Sequence, residues 1–88
     1  MRDTILAACK SLWPEMNPQV EFGNVVLHSV PTDDDPIPWS VYEITPTDTI
    51  IIVHGFDEPL DSGYEVGQFH TVAEVLQAIA MDMETSQS

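Results

Sequence analysis

Two runs separated by one short turn decide the fold: Trp39-Ser40-Val41-Tyr42-Glu43-Ile44-Thr45 and, beyond Pro46-Thr47, Thr49-Ile50-Ile51-Ile52-Val53-His54. The first run alternates. Successive side chains of a strand point to opposite faces, so Trp39, Val41 and Glu43 share one side and Ser40, Tyr42 and Ile44 the other. The second run holds Ile50-Ile51-Ile52-Val53 with no polar alternation, which predicts a central strand covered on both faces. Pro46-Thr47 reads as a tight turn between them.

Upstream, Gln19–Phe22 and Val25–Val30 flank Gly23-Asn24, a dipeptide suited to a hairpin. Downstream, Tyr64–His70 is a last strand, with Gly67 marking a bulge or a close backbone approach. Helices are expected at both ends. In Asp3–Trp13 the residues Ile5, Leu6, Cys9, Leu12 and Trp13 recur at helical spacing, Asp3 is placed to cap, and Pro14 stops the run. Thr71-Val72-Ala73-Glu74 has the form of a capping box, in which hydroxyl and carboxylate each satisfy an orphan N–H. Val72, Val75, Leu76, Ile79 and Met83 then form an apolar stripe, predicting a helix over 72–83. The order is helix, four to five strands, helix. Short connections favour antiparallel neighbours, so the expected class is α+β: an antiparallel sheet with both helices on one face. It forms a single domain over residues 1–84, and 85–88 read as a frayed polar tail.

The chain has 88 residues, of which 43% are apolar, an ordinary share for a folded domain of this length. One cysteine excludes a disulfide framework and a cysteine-based zinc cluster. No apolar run approaches the roughly 18 residues of a membrane span. Leu6-Ala7-Ala8-Cys9 resembles a lipobox, but the apolar stretch before that cysteine is too short and Asp3 stands where positive charge belongs. Cys9 is therefore expected as a core thiol, and the cytoplasm as the compartment.

Charge is the main functional signal. The chain carries 15 acids against 2 bases, a net −13. Arg2 and Lys10 are the only cations, so residues 11–88 hold fourteen acids and no base. Average usage would place about 9 cations there. A salt-adapted proteome or a need for solubility would give the same composition; the functional explanation is a surface that attracts cations. A body ~30 Å across matches a length of duplex DNA bearing ~18 charges. Nucleic-acid and anionic-membrane binding by the chain itself are disfavoured, since no cationic stripe exists.

Catalytic motifs fail on inspection. Ile50-Ile51-Ile52-Val53-His54-Gly55-Phe56 resembles the strand and His-Gly turn of α/β-hydrolases, but that family needs a G-x-S-x-G elbow on a longer chain. Asp61-Ser62 resembles the Asp-Ser of acyl carrier proteins, whose serine precedes a helix; a β-patterned stretch follows here. His28, His54 and His70 share no local ligand spacing. The consecutive Asp33-Asp34-Asp35 cannot converge on one ion as an alternating calcium loop does, and Asp57, Glu58 and Asp61 lack the glycine and distal glutamate of an EF-hand. No catalytic residue, cofactor or metal is expected.

Two proline-stiffened loops hold the densest acids: Asp33, Asp34 and Asp35 within Pro31–Pro38, and Asp57, Glu58 and Asp61 around Pro59. With Trp39 as an aromatic anchor, these are the expected partner-binding residues. Glu21, Glu43 and Glu65 would form a second array on an exposed sheet face. The expected function is a small binding or inhibitor protein that docks its carboxylates in the basic groove of a nucleic-acid enzyme. In size and charge it is similar to phage DNA-mimic inhibitors of restriction or CRISPR nucleases and to immunity proteins of nuclease toxins. The alternative is an accessory or assembly protein that works through an apolar face, including as a homodimer.

Overall fold

In this computed structural model, which describes residues 1–57 and 62–87, the chain runs α1 (Arg2–Leu12), a 3-10 turn (Pro14–Met16), β1 (Gln19–Glu21), β2 (Asn24–His28), β3 (Ser40–Pro46), β4 (Ile51–Gly55), β5 (Tyr64–Phe69) and α2 (Val72–Gln87). The five strands form one antiparallel sheet in the order β1-β2-β3-β4-β5, a plain meander. This is the α+β architecture that the sequence predicts. Both helices pack on one face. Val25, Leu27, Tyr42, Ile44, Ile51 and Val53 from the sheet meet Ile5 and Cys9 of α1 and Val75 and Ile79 of α2. Each fully buried aliphatic side chain there contributes about 1.5–3 kcal/mol.

The capping box forms as predicted. The Glu74 N–H donates to Thr71 Oγ1 at 3.2 Å, and the Thr71 N–H donates to Glu74 Oε1 at 3.1 Å. The helix runs on to Gln87, past the expected Met83. At the other end Asp3 does not cap α1; it lies in the first turn, and the helix begins at Arg2 without a side-chain cap. Its carboxylate still suits the positive end of the helix dipole. Leu12, one of the apolar residues at helical spacing, is 54% exposed; the helix ends there, and half-buried Trp13 packs against the core.

Four strand details differ from expectation. The first hairpin turns at Phe22-Gly23, one residue earlier than Gly23-Asn24. Glu21 pairs with Asn24, and both loop residues have positive φ, 53° and 81°, as a two-residue type I′ turn requires. The second turn is Thr47–Ile50, closed by the Thr47 N–H on the Ile50 carbonyl at 2.8 Å, so Pro46 stays in β3 opposite Ile51. The alternation over 39–45 breaks at a bulge. Leu27 pairs with Tyr42 but His28 pairs with Ser40, which leaves Val41 as the extra residue. Ser40 thereby leaves the Tyr42 face, and Val41 packs against the core rather than beside Glu43.

Finally, β4 is not covered on both faces. Ile51, Val53 and Gly55 are buried under the helices, while Ile52 and His54 are half-buried on the bare face. There is only one helical layer; on the other side Ile52 stands between Thr45 and Gln68, and His54 between Glu43 and Glu65. Gly67 fulfils its reading. A second bulge places Val53 opposite Gly67 and His54 opposite Glu65, and a Cβ on Gly67 would stand 2.7 Å from the Phe69 ring.

Candidate functional site

In a meander the β2–β3 and β4–β5 connections leave the sheet at the same end. Hydrogen bonds close the first connection across its base and tie the second to β3. The Ser29 N–H donates to the Trp39 carbonyl at 2.8 Å, the Trp39 N–H donates to Ser29 Oγ at 3.0 Å, and the Phe56 N–H donates to the Val41 carbonyl at 2.8 Å. The 3-10 turn and the later turns of α2 reach the same region, and a groove of about 420 Å³ opens between these parts. Trp39, Tyr42, Phe56 and Tyr64 line it, four of the seven aromatic residues in the chain. Met16 and Met83 add thioethers; Glu15 and Asp57 add carboxylates.

Two glycines seat the aromatic walls. Gly55 pairs with Tyr64 across the ladder, and a Cβ on Gly55 would stand 2.6 Å from the Tyr64 ring. Gly63 has φ +84°, and a Cβ there would lie 2.6 Å from the Phe56 ring. The His54-Gly55-Phe56 and Ser62-Gly63-Tyr64 segments thus owe their glycines to aromatic packing.

Beneath these walls the Tyr42 and Tyr64 hydroxyls donate to the same oxygen, Asp82 Oδ2, at 2.5 and 2.7 Å. Burial, and after it the bond to Asp82, pushes the Tyr64 hydroxyl from its ordinary 10.0 up to about 12 and raises Tyr42 in the same direction. Both phenols are neutral donors at physiological pH. The Trp39 indole is also engaged: its Nε1–H donates to Asp35 Oδ2 at 3.1 Å.

The chain matches no family model, no curated protein and no solved structure.

Asp33, Asp34 and Asp35 are all exposed, but the structure divides them. The Thr32 N–H donates to the Asp35 carbonyl and the Asp35 N–H to Thr32 Oγ1, each at 3.0 Å, which closes a turn with Asp33 and Asp34 at its tip. Asp35 faces back to Trp39. Asp57 is exposed and shares the groove with Trp39; Glu58 and Asp61 lie outside the described residues.

Of the expected second array, Glu43 and Glu65 stand in one register row with His54 between them, while Glu21 pairs with Asn24 outside that row. Its carboxylates are engaged by neighbours. Asn24 Nδ2 donates to Glu43 Oε1 at 2.6 Å, Gln68 Nε2 to Glu65 Oε1 at 3.2 Å, and His28 Nε2 meets Glu21 Oε2 at 3.0 Å. Among the described residues no three His, Cys, Asp or Glu side chains converge on a metal position. No described helix is long and apolar enough to cross a membrane.

Sequence reading did not single out Tyr42, Tyr64, Asp82 or Glu15 for this site. Two signals were there to find. An aromatic residue follows glycine at Gly55-Phe56 and again at Gly63-Tyr64, and Asp82 falls three residues after Ile79 on the inward stripe of α2, where a carboxylate needs partners.

Proposed function

We propose that the chain is a small acidic binding protein that docks its carboxylate surface in the basic groove of a nucleic-acid enzyme, in the manner of a DNA-mimic or nuclease-immunity inhibitor. One observation carries the reading: residues 11–88 hold fourteen acids and no cation. Carboxylates take the place of phosphates before the partner's Arg and Lys, and long-range attraction speeds the encounter. Asp33 and Asp34 at the turn tip and Asp57 on the other connection at this end of the sheet are exposed, which supports the reading.

Magnitudes set the kind of mimicry. Along the molecule's 40 Å long axis duplex DNA carries about 24 charges, against a net −13 here. That ratio of about one half favours steering and the local replacement of a few phosphates over imitation of a whole helical turn.

The second reading, an assembly protein pairing through an apolar face, is favoured by Phe22, which is fully exposed at the hairpin tip beside the sheet-edge residue Val20. One experiment separates the two. The protein is used as bait in an extract of its native host, the captured partner is released by salt, and the partner's enzymatic activity is assayed with and without the protein. A basic nucleic-acid enzyme, released by moderate salt and inhibited on re-addition, is the expected result. A salt-resistant homodimer with no basic partner overturns the first reading.

A further inference from the structure

We infer that the groove lined by Trp39, Tyr42, Phe56 and Tyr64 takes the guanidinium side chain of an arginine presented by the partner. This rests on the reading of the chain as a binder of basic proteins and names the pocket that would give such binding its specificity.

Donors and acceptors decide what the groove can hold. Among the described residues that line the groove, three side chains carry an N–H or O–H: Trp39, Tyr42 and Tyr64. All three are spent. Each phenol has one proton, and both go to Asp82 Oδ2; the single indole proton goes to Asp35 Oδ2. What remains for a ligand is the carboxylates of Glu15 and Asp57 and aromatic and thioether surface. A phosphate, carboxylate or carbonyl ligand would find no side-chain donor there. Guanidinium is the complementary group: it has five donors and no acceptor, it is weakly hydrated, and it stacks on aromatic rings. Cation–π attraction adds to pairing with the carboxylates, and the net −13 of the whole molecule draws such a side chain in. A volume of about 420 Å³ gives room for the side chain together with the backbone that presents it.

The test uses the full ¹⁵N-labelled chain and three blocked tripeptides, Gly-Arg-Gly, Gly-Lys-Gly and Gly-citrulline-Gly, followed by the indole N–H resonances. Trp13, which does not line the groove, serves as the internal reference. The arginine peptide is expected to shift the Trp39 indole saturably and leave Trp13 still. Citrulline keeps the shape but loses the charge and two-sided donor fork, so it should bind about tenfold more weakly, and Phe56→Leu should weaken arginine binding about fivefold. Lysine should fall between arginine and citrulline. Equal shifts from arginine and citrulline, or arginine shifts confined to the Asp33 and Asp34 amides, overturn the inference. The citrulline arm needs no variant and so does not depend on Phe56→Leu folding. Failure here is distinct from failure of the broader reading: a basic enzyme still captured, salt-sensitive and unaffected by Phe56→Leu, refutes the arginine pocket alone.

Discussion

Tyr42 on β3 and Asp82 on α2, forty residues apart in sequence, meet in a 2.5 Å hydrogen bond, and Tyr64 on β5 joins them on the same carboxylate oxygen. One acid on the inward side of the last helix thereby clips that helix to two strands. It also holds the two phenol rings that wall the groove.

The first prediction follows from this clip. A hydrogen bond to a charged acceptor contributes about 1.5–3 kcal/mol, so Tyr42→Phe should lower stability by about 2 kcal/mol in urea denaturation. Asp82→Ala should cost at least as much, because it strands two hydroxyls. If Tyr42→Phe and the parent share one denaturation midpoint, the clip contributes nothing to stability.

Alkaline pH should loosen the same clip. The Tyr64 hydroxyl titrates near 10.0 when unfolded and at about 12 when folded, and Tyr42 is raised as well. A group whose folded pKa is raised contributes fully below its unfolded value and loses that contribution as pH rises through the folded value. Stability should therefore fall from pH 10.0 upward, and the fall should be shallower in Tyr64→Phe. A denaturation midpoint unchanged between pH 9 and about 12 would contradict this.

Cys9 should be inert in the native protein. It is fully buried, and burial pushes its thiol from 9.0 up to about 11. The thiolate is the reactive form, so at pH 8 a chromogenic disulfide reagent should label Cys9 only at the rate of unfolding. Rapid labelling without denaturant would show that the α1 face is open.

Removing the helix cap gives a local measure of α2. Thr71→Ala deletes the Oγ1 that accepts the Glu74 N–H and should cost about 1 kcal/mol. An unchanged urea midpoint would mean that solvent replaces the cap fully.

The turn tip should act on rate. Asp33→Asn with Asp34→Asn removes two exposed charges and leaves the Asp35–Trp39 bond in place. Association with the captured partner should slow several-fold at low salt and little at high salt, because exposed charges act mainly through screened, long-range attraction. Equal association rates for parent and variant at low salt would remove these two residues from the contact surface.

Local chemistry made much of the fold legible in the sequence. The Thr71–Glu74 capping box lies within one turn of chain, the apolar stripe of α2 follows from side-chain periodicity, and the Ile50–Val53 run marks a strand by its β-branched residues alone. An order of helix, strands and helix with short connections leaves little besides a meander under two helices. The charge asymmetry is composition alone. Tertiary structure decided the rest, wherever the outcome depended on what lies opposite in space. The bulges at Val41 and Val66 come from strand pairing, and they decide which face Ser40 takes and which residue meets Gly67. Ile52 reads as buried from its neighbours in sequence but is half-exposed, because only the packed sheet shows that a single helical layer exists. The groove was least legible. Its aromatic walls come from β3, β5 and two connections, and the acid that spends their hydroxyl protons comes from α2; no sequence spacing encodes that meeting, which exists only once the sheet and helix have closed on each other.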